Sequence, residues 1–540
     1  MAKPHVLMVP FPVQGHVIPM FELAHCLAKH GIRITIVNIE IVHDLLVNSS
    51  TSSSALNDSI RLVSVSDGLE SGERHIPGKL MEAVCRVMPL KIEELIREIG
   101  GCSPSSAADK VSCIVYDQSL GRIQQVAERM GIGSVAFVPA AAALLVLDQH
   151  SQLIQDGIID NQGSPLTDKT VQFAPTMPIM SPSDFVWHRL KIASLQKLLF
   201  HIMTENNGPT KSADWLICNS VLDLEPGAFT MAPQILPIGP LLAINNRPAH
   251  SASGHFWQQE YECLEWLDRQ PACSVIYVAF GSSVMLKKAQ VEELALGLEL
   301  TNRPFLWVVR AEAIDGADDW EGFLERVEGG GRIIGWAPQQ RVLDHPSTAC
   351  FISHCGWNST LESVSSGVPM LCWPYLRDFI NESYVCDIWK VGLRLEEEDN
   401  GMVASEEIKR KMDGLLGDGA FRERALRLKG KVGEIPTHLQ QFRVSDVIAT
   451  DKNWQLNMVD PFILMHIKDR ILSTPIPSTT QSDTCVWNWE KTGIIRDSSS
   501  RFVVAFSAYI GMNTNNMAEC WALRNGLEDG QISEGTHPFA

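Results

Sequence analysis

Short apolar runs alternate with amphipathic stretches through most of the chain. Val6–Pro10 is a strand-like run, Gly15 turns the chain, and Val17 to Lys29 places Met20, Phe21, Ala24, Leu27 and Ala28 on one helical face. Gly31 then stops the helix, and β-branched Ile32–Val37 predicts a second strand. The unit recurs as strand Cys113–Tyr116, helix Gln124–Met130 and strand Ser134–Val138, with Leu216–Asn219 expected to end the series. Residues 241–256, LLAINNRPAHSASGHF, lack periodicity and read as a linker. A second series follows: strand Val275–Phe280, helix Lys288–Leu300, and strands Phe305–Arg310, Arg332–Gly335, Ala349–Ser353 and Met370–Trp373. Such alternation predicts parallel sheets with helices on both faces. The expected fold is therefore α/β, with two doubly wound, Rossmann-like domains (1–240 and 257–432) facing each other across a cleft. From about Val432 the rhythm fails, and 433–540 reads as an irregular C-terminal extension.

Composition narrows the function classes. A chain of 540 residues exceeds one ordinary hydrophobic core, which agrees with two or more domains. Its formal net charge of -18 argues against a general nucleic-acid binder. The thirteen cysteines show no CxxC pairing and read as buried thiols of a reducing compartment. No stretch reaches the ~20 apolar residues that span a bilayer, and MAKPHVLMVPFP lacks the features of a signal peptide. A soluble, cytoplasmic protein is expected.

In doubly wound sheets ligands bind beyond the carboxyl ends of the strands. Two strand ends suit an anion. One runs into Gly281-Ser282-Ser283; the other runs into His354-Cys355-Gly356, with a helix expected to start near Asn358-Ser359. A glycine turn opening onto a helix presents unpaired N–H groups and a positive dipole end, and Ser282, Ser359 and His354 could add hydrogen bonds. Glu362 has two readings: Ser359-Thr360-Leu361-Glu362 is a capping-box pattern, whereas a free carboxylate there could accept both hydroxyls of a ribose. In the first domain His16, next to the Gly15 turn, is a candidate general base. Asp117, at the end of a later strand, is either its orienting partner or a turn residue.

The segment WAPQQRVLDHPSTACFISHCGWNSTLESVSSGVPMLCWPYLRD, from Trp336 to Asp378, closely resembles the plant secondary-product glycosyltransferase box, the signature of family 1 UDP-dependent glycosyltransferases. FPVQGHVIPMFELAHCLAKHG, CIVYDQSLG, LPIGPLL and CLEWLDRQPACSVIYVAFGS extend the resemblance over about residues 5–430. It implies a GT-B fold with the acceptor site in the first domain and the UDP-sugar site in the second. Trp336 matches the indole that stacks on uracil, with Ala337 and Gln339 beside base and ribose. Glu362 matches the ribose carboxylate; His354, Asn358, Ser359 and Ser282 match diphosphate contacts; Trp357 and Asp378 match residues reaching the sugar. His16 matches the catalytic base and Asp117 its orienting partner. The implied reaction is a single inverting displacement, without a metal or other cofactor. It moves a hexose, glucose first among the candidates, from a UDP-sugar to a hydroxyl of a small lipophilic acceptor such as a phenolic or terpenoid. Neither a membrane nor a nucleic acid is implied as a partner.

Two departures qualify that expectation. The family box closes with an acidic residue followed by Gln, whereas Asp378 runs directly into Phe379-Ile380-Asn381, as though the Gln were deleted. Arg122 also stands where a Trp is common. The alternative reading is a catalytically impaired UDP-sugar-binding fusion protein. In the tail, 469–493 resembles a segment of plant retroelements, and 493–530 resembles the start of a ribonuclease-H-like domain, read as two strands and a helix. Only Glu519 stands where a metal-holding carboxylate is expected, so nuclease activity is not.

Overall fold

A computed structural model describes residues 4–29, 31–49, 59–70, 72–101, 110–147, 150–189, 192–241, 254–310, 314–315, 330–374 and 378–432, together with 486–488, 493–496 and 502–506. Residues 4–241 and 254–432 fall in one compact unit; the tail strands belong to another.

The first sheet is built from β1 (His5–Val9), β2 (Arg33–Ile39), β3 (Ile60–Val65), β4 (Cys113–Asp117), β5 (Gly133–Val138), β6 (Trp215–Cys218) and β7 (Ile235–Pro237). Its order is β3-β2-β1-β4-β5-β6-β7, with parallel pairing throughout. Every residue of β1 is buried, as expected where helices cover both faces of a parallel sheet. The helix Gln14–Lys29 buries Val17, Met20, Phe21, Ala24 and Leu27. It gives way at Gly31, whose φ of +76° suits a residue without a Cβ. The sheet does not end at β6 as expected: the three-residue β7 adds one more edge strand.

The second sheet comes from β8 (Val275–Ala279), β10 (Phe305–Val308), β12 (Gly331–Ile334), β13 (Thr348–Ser353), β14 (Met370–Cys372) and β15 (Gly392–Arg394), with β9 (Leu286–Lys287) and β11 (Ile314–Asp315) pairing separately. Its order, β12-β10-β8-β13-β14-β15, is again all parallel. Two apolar clusters, one around Ile276, Val278, Ile352 and Leu298 and one around Tyr277, Phe351, Val342 and Met370, sandwich it.

Each sheet reverses its winding once, between β1 and β4 and between β8 and β13, so each has a switch point at its carboxyl edge. A third apolar cluster joins the two layers: Ala141, Val221 and Leu224 meet Trp357, Leu361, Val364 and Val432. Most of the expected linker, residues 242–253, and most of 433–540 lie outside the described residues. Within the tail, β16 (Val486–Asn488), β17 (Gly493–Arg496) and β18 (Phe502–Phe506) form an antiparallel sheet, while the expected helix and Glu519 lie outside. Among the described residues no helix is long and apolar enough to cross a membrane.

Candidate active site

Strand β1 runs next to β4, with Val9 opposite Tyr116, so the turns leaving both strands emerge side by side. His16 lies in the first turn of the helix after β1, its N–H bonded to the Val13 carbonyl at 2.9 Å. Asp117 is the last residue of β4 and fully buried. Their side chains meet: His16 Nδ1 lies 2.7 Å from Asp117 Oδ2. The other carboxylate oxygen accepts the Ser119 N–H at 2.9 Å, which fixes the plane of the carboxylate. A carboxylate on Nδ1 makes that nitrogen the donor and leaves Nε2 as the basic atom. The imidazole is 21% exposed, and among the described residues no hydrogen bond to Nε2 is found. The Phe11 ring leans on it at 5.5 Å.

At the second switch point the ends of β8 and β13 hold His354 between two glycines. A Cβ at Gly281 would come within 2.7 Å of the imidazole, and one at Gly356 within 2.4 Å. Gly281 also has φ +70°, so neither space nor backbone there accepts a side chain. Burial pushes the His354 pKa down to about 4, offset only in part by the Ala279 backbone. Near pH 7 the ring is therefore neutral and can donate one N–H to a phosphate oxygen.

The helix after β13 runs from Trp357 to Ser366 with Gly356 as its N-cap, one residue earlier than the sequence suggests. That start decides one of the two readings of Glu362. Ser359 is the third helical residue rather than the cap, so Glu362 cannot close a capping box. Its carboxylate instead accepts the Gln339 amide at 2.5 Å, and Gln339 also donates to Ser359 Oγ and accepts from the Tyr277 hydroxyl. Burial, opposed by the Gln339 bond, raises the Glu362 pKa to about 7. The first N–H groups of the helix have no intrahelical partners.

Two residues of this helix hydrogen-bond to the first domain. Asn358 Nδ2 donates to the Gly15 carbonyl at 2.7 Å, beside His16, while its Oδ1 is buried without a partner among the described residues. Trp357 donates its indole N–H to the Asn219 carbonyl at 2.9 Å. Its ring lies in the apolar cluster between the layers, so its side chain joins domains rather than facing a ligand. Ala337 is buried in the second sheet's core. Ser282 follows Gly281, its carbonyl holding Arg310 Nη2 at 2.8 Å. Asp378 caps the helix Phe379–Ser383 through its carbonyl, 2.9 Å from the Glu382 N–H. Arg189 from the first domain lies 3.8 Å over the Phe379 ring, immediately after the place of the missing Gln.

Comparison with known proteins follows the same outline. The family model described as UDP-glucoronosyl and UDP-glucosyl transferase matches residues 243–433. UDP-glycosyltransferase 83A1 of Arabidopsis thaliana is 46% identical over 439 residues, 79% of this chain and 92% of that protein. The chain belongs to the UDP-glycosyltransferase family. A 7-deoxyloganetin glucosyltransferase of Catharanthus roseus is 30% identical over 81% of this chain and 93% of its own length. Among solved structures, Os79 from O. sativa in complex with UDP superposes with a TM-score of 0.64 at 27% identity, covering 79% of this chain and 95% of that one. Phytolacca americana UGT2 with UDP-2fluoro-glucose and pterostilbene gives 0.63 at 26% identity, covering 80% and 94%. The two parallel sheets and their cleft are thus the GT-B architecture of this glycosyltransferase family.

Three features of the glycosyltransferase site escape sequence reasoning. Glu225, fully buried, accepts the Ala142 and Ala143 N–H groups at 2.9 and 3.0 Å and the Ser220 hydroxyl at 2.5 Å. It thereby fixes the start of the apolar helix Ala142–Leu147, and burial raises its pKa. Trp257 and Arg310 flank Trp336. Lastly, a cavity of about 410 Å³ lies between the layers, lined by Trp373, Phe379, Arg189, Glu382 and Arg394. No motif marks any of these, because each depends on contacts between distant segments.

Proposed function

We propose that this glycosyltransferase moves a hexose, glucose first among the candidates, from a UDP-sugar to a hydroxyl of a small lipophilic acceptor, with inversion to a β-glycoside. The observation that carries the reading is the His16–Asp117 pair, tied through Gly15 to Asn358 at the head of the donor helix. Residues 1–240 serve as the acceptor domain and 257–432 as the donor domain.

In this reading uracil stacks on Trp336 beside Ala337, and the ribose hydroxyls replace Gln339 on Glu362. The diphosphate lies against Ser282, neutral His354, Asn358, Ser359 and the free N–H groups of the helix start, where a partial positive charge meets the leaving group. Asp378 and the Trp357 turn face the sugar. His16 Nε2 takes the acceptor proton as its oxygen attacks the anomeric carbon, the C–O bond to UDP breaks, and buried Asp117 stabilises the imidazolium. The step is written without a metal because the helix start and the donors of Ser282, His354, Asn358 and Ser359 meet the charge of the diphosphate. The cytoplasm is the proposed compartment, in keeping with the absence of any disulfide among the described cysteines. Strands β17 and β18 are read as part of the ribonuclease-H-like fragment and β16 as part of the retroelement-like segment before it, with no nuclease role.

Incubating the protein with UDP-glucose and a panel of phenols and terpenoid alcohols, while following UDP release, tests the proposal. H16A should abolish transfer and leave UDP affinity within about two-fold. Binding of UDP without turnover on any acceptor would instead establish a non-catalytic UDP-sugar binder.

A further inference from the structure

The segment at the end of the linker and just beyond it, His255 to Glu260, lies across Trp336. Trp257 stacks on the indole at 4.9 Å between centroids, tilted by 39°. Arg310 covers Trp257 at 4.1 Å and stands 6.0 Å from the Trp336 ring, so the cation and the two indoles form a compact triangle. His255 Nδ1 accepts the Trp336 indole N–H at 3.4 Å, which fixes the ring's rotation. Glu260 takes the Gly335 N–H on its carboxylate at 2.6 Å, and its own N–H donates to the Trp336 carbonyl at 2.8 Å. Ring face, ring edge and backbone of Trp336 are thus each held by one strap.

The strap is anchored in turn on the first domain. The Ser49 hydroxyl donates to the His255 carbonyl at 2.6 Å, and the Phe256 N–H donates to Gln14 Oε1 at 3.2 Å. Gly254, with φ +91°, sits where a Cβ would press on Phe21 at 3.2 Å. Gln14 and Phe21 belong to the helix that carries His16.

We propose that Trp257 is a positioning residue for the donor base. It occupies one face of Trp336, presents the opposite face to uracil, and aligns that face with the helix bearing the catalytic base. The inference rests on reading Trp336 as the uracil platform. The two indoles are already at contact distance, so no base enters between them. Without Trp257 the Trp336 ring would lose its backing and the base would bind a ring free to tilt. The chemistry at the anomeric carbon lies beyond its reach. Its loss therefore weakens donor binding and base choice rather than the chemical step, as expected for binding shared equally by ground and transition states.

The test compares wild type, W257A, W257F and W336A by calorimetric UDP and ADP binding, donor and acceptor kinetics, and far-ultraviolet circular dichroism. W257A should weaken UDP binding and raise the UDP-sugar KM about ten-fold, narrow the preference for UDP over ADP, and leave kcat and acceptor KM within about two-fold. W257F, which keeps an aromatic face, should restore most of the affinity. Yet the wild-type minus W257F spectrum should show the exciton couplet of stacked indoles. W336A should bind UDP far more weakly than W257A; undiminished binding there would refute the platform reading itself. With W336A impaired, UDP affinity in W257A equal to or tighter than wild type would overturn the role of Trp257. So would a fall in kcat with KM unchanged. Should W257A not fold, W257F decides: no exciton couplet in its difference spectrum overturns the geometry.

Discussion

Replacing Asp117 by Asn changes one atom and reverses a hydrogen bond. In the native protein both carboxylate oxygens accept, one from Ser119 N–H at 2.9 Å and one from His16 Nδ1 at 2.7 Å. An amide has one acceptor and one donor end. If its oxygen stays on the backbone N–H, its NH2 faces Nδ1 and moves the imidazole proton to Nε2, the atom proposed as the base. If the amide flips, the correct tautomer returns, but the Ser119 N–H meets another donor. Leaving that buried group unsatisfied costs about 1–3 kcal/mol, so the competent form falls roughly 5- to 150-fold. The imidazolium also loses a charge-assisted bond of about 1.5–3 kcal/mol. Together these predict a kcat lower by about 10²–10⁴, the range expected for general-base catalysis. Initial rates of UDP release at saturating UDP-glucose would measure it, with calorimetry checking that UDP affinity stays within about two-fold. A D117N enzyme retaining more than a tenth of wild-type kcat would refute the orienting role.

Three further outcomes follow from the donor side. The Glu362 pKa is raised to about 7 by burial, so the unliganded carboxyl is largely protonated below that pH, whereas ribose hydroxyls need an ionised acceptor. UDP affinity should therefore rise between about pH 6 and 7.5, with proton release visible by calorimetry in buffers of different ionisation enthalpy, and E362Q should be flat across this range. The same raised pKa means that Glu362 stabilises the fold most below its ordinary range near 4.5, and that this contribution is lost as pH rises through about 7. W357F removes the bond to the Asn219 carbonyl and should lower stability by about 1–3 kcal/mol, read as a lower denaturant midpoint, with UDP affinity little changed. A large loss of UDP affinity at unchanged stability would assign the indole to the ligand instead.

The long strands and the helices flanking them were legible because their apolar positions repeat with the right period. Helix Lys288–Leu300 has its expected limits, and β8 and β13 differ from expectation by one residue at an end. The strands that were missed are weak signals. β7 and β15 have three residues each, too few for periodicity, and β3 is a largely half-exposed edge strand. Glu362 shows a different failure: the local pattern fits a capping box, but Gly356 caps the helix first. His16 and Asp117 are 101 residues apart, and only the adjacency of β1 and β4 makes them neighbours. The contact between Asn358 and Gly15 spans 343 positions and leaves no mark in either segment.

Three of the hydrogen bonds that dock the two domains share a polarity. Asn358, Trp357 and Trp389 of the second domain donate from side chains, and Gly15, Asn219 and Leu224 of the first accept through backbone carbonyls. A main-chain carbonyl is present whatever side chain the residue carries. The first domain can therefore exchange side chains at these positions while still offering the second the same three oxygens. On the proposed division of roles, recognition of new acceptors can evolve on one half of the molecule without renegotiating its attachment to the other, and chimaeras joining this second domain to a foreign first domain should inherit a ready-made seam.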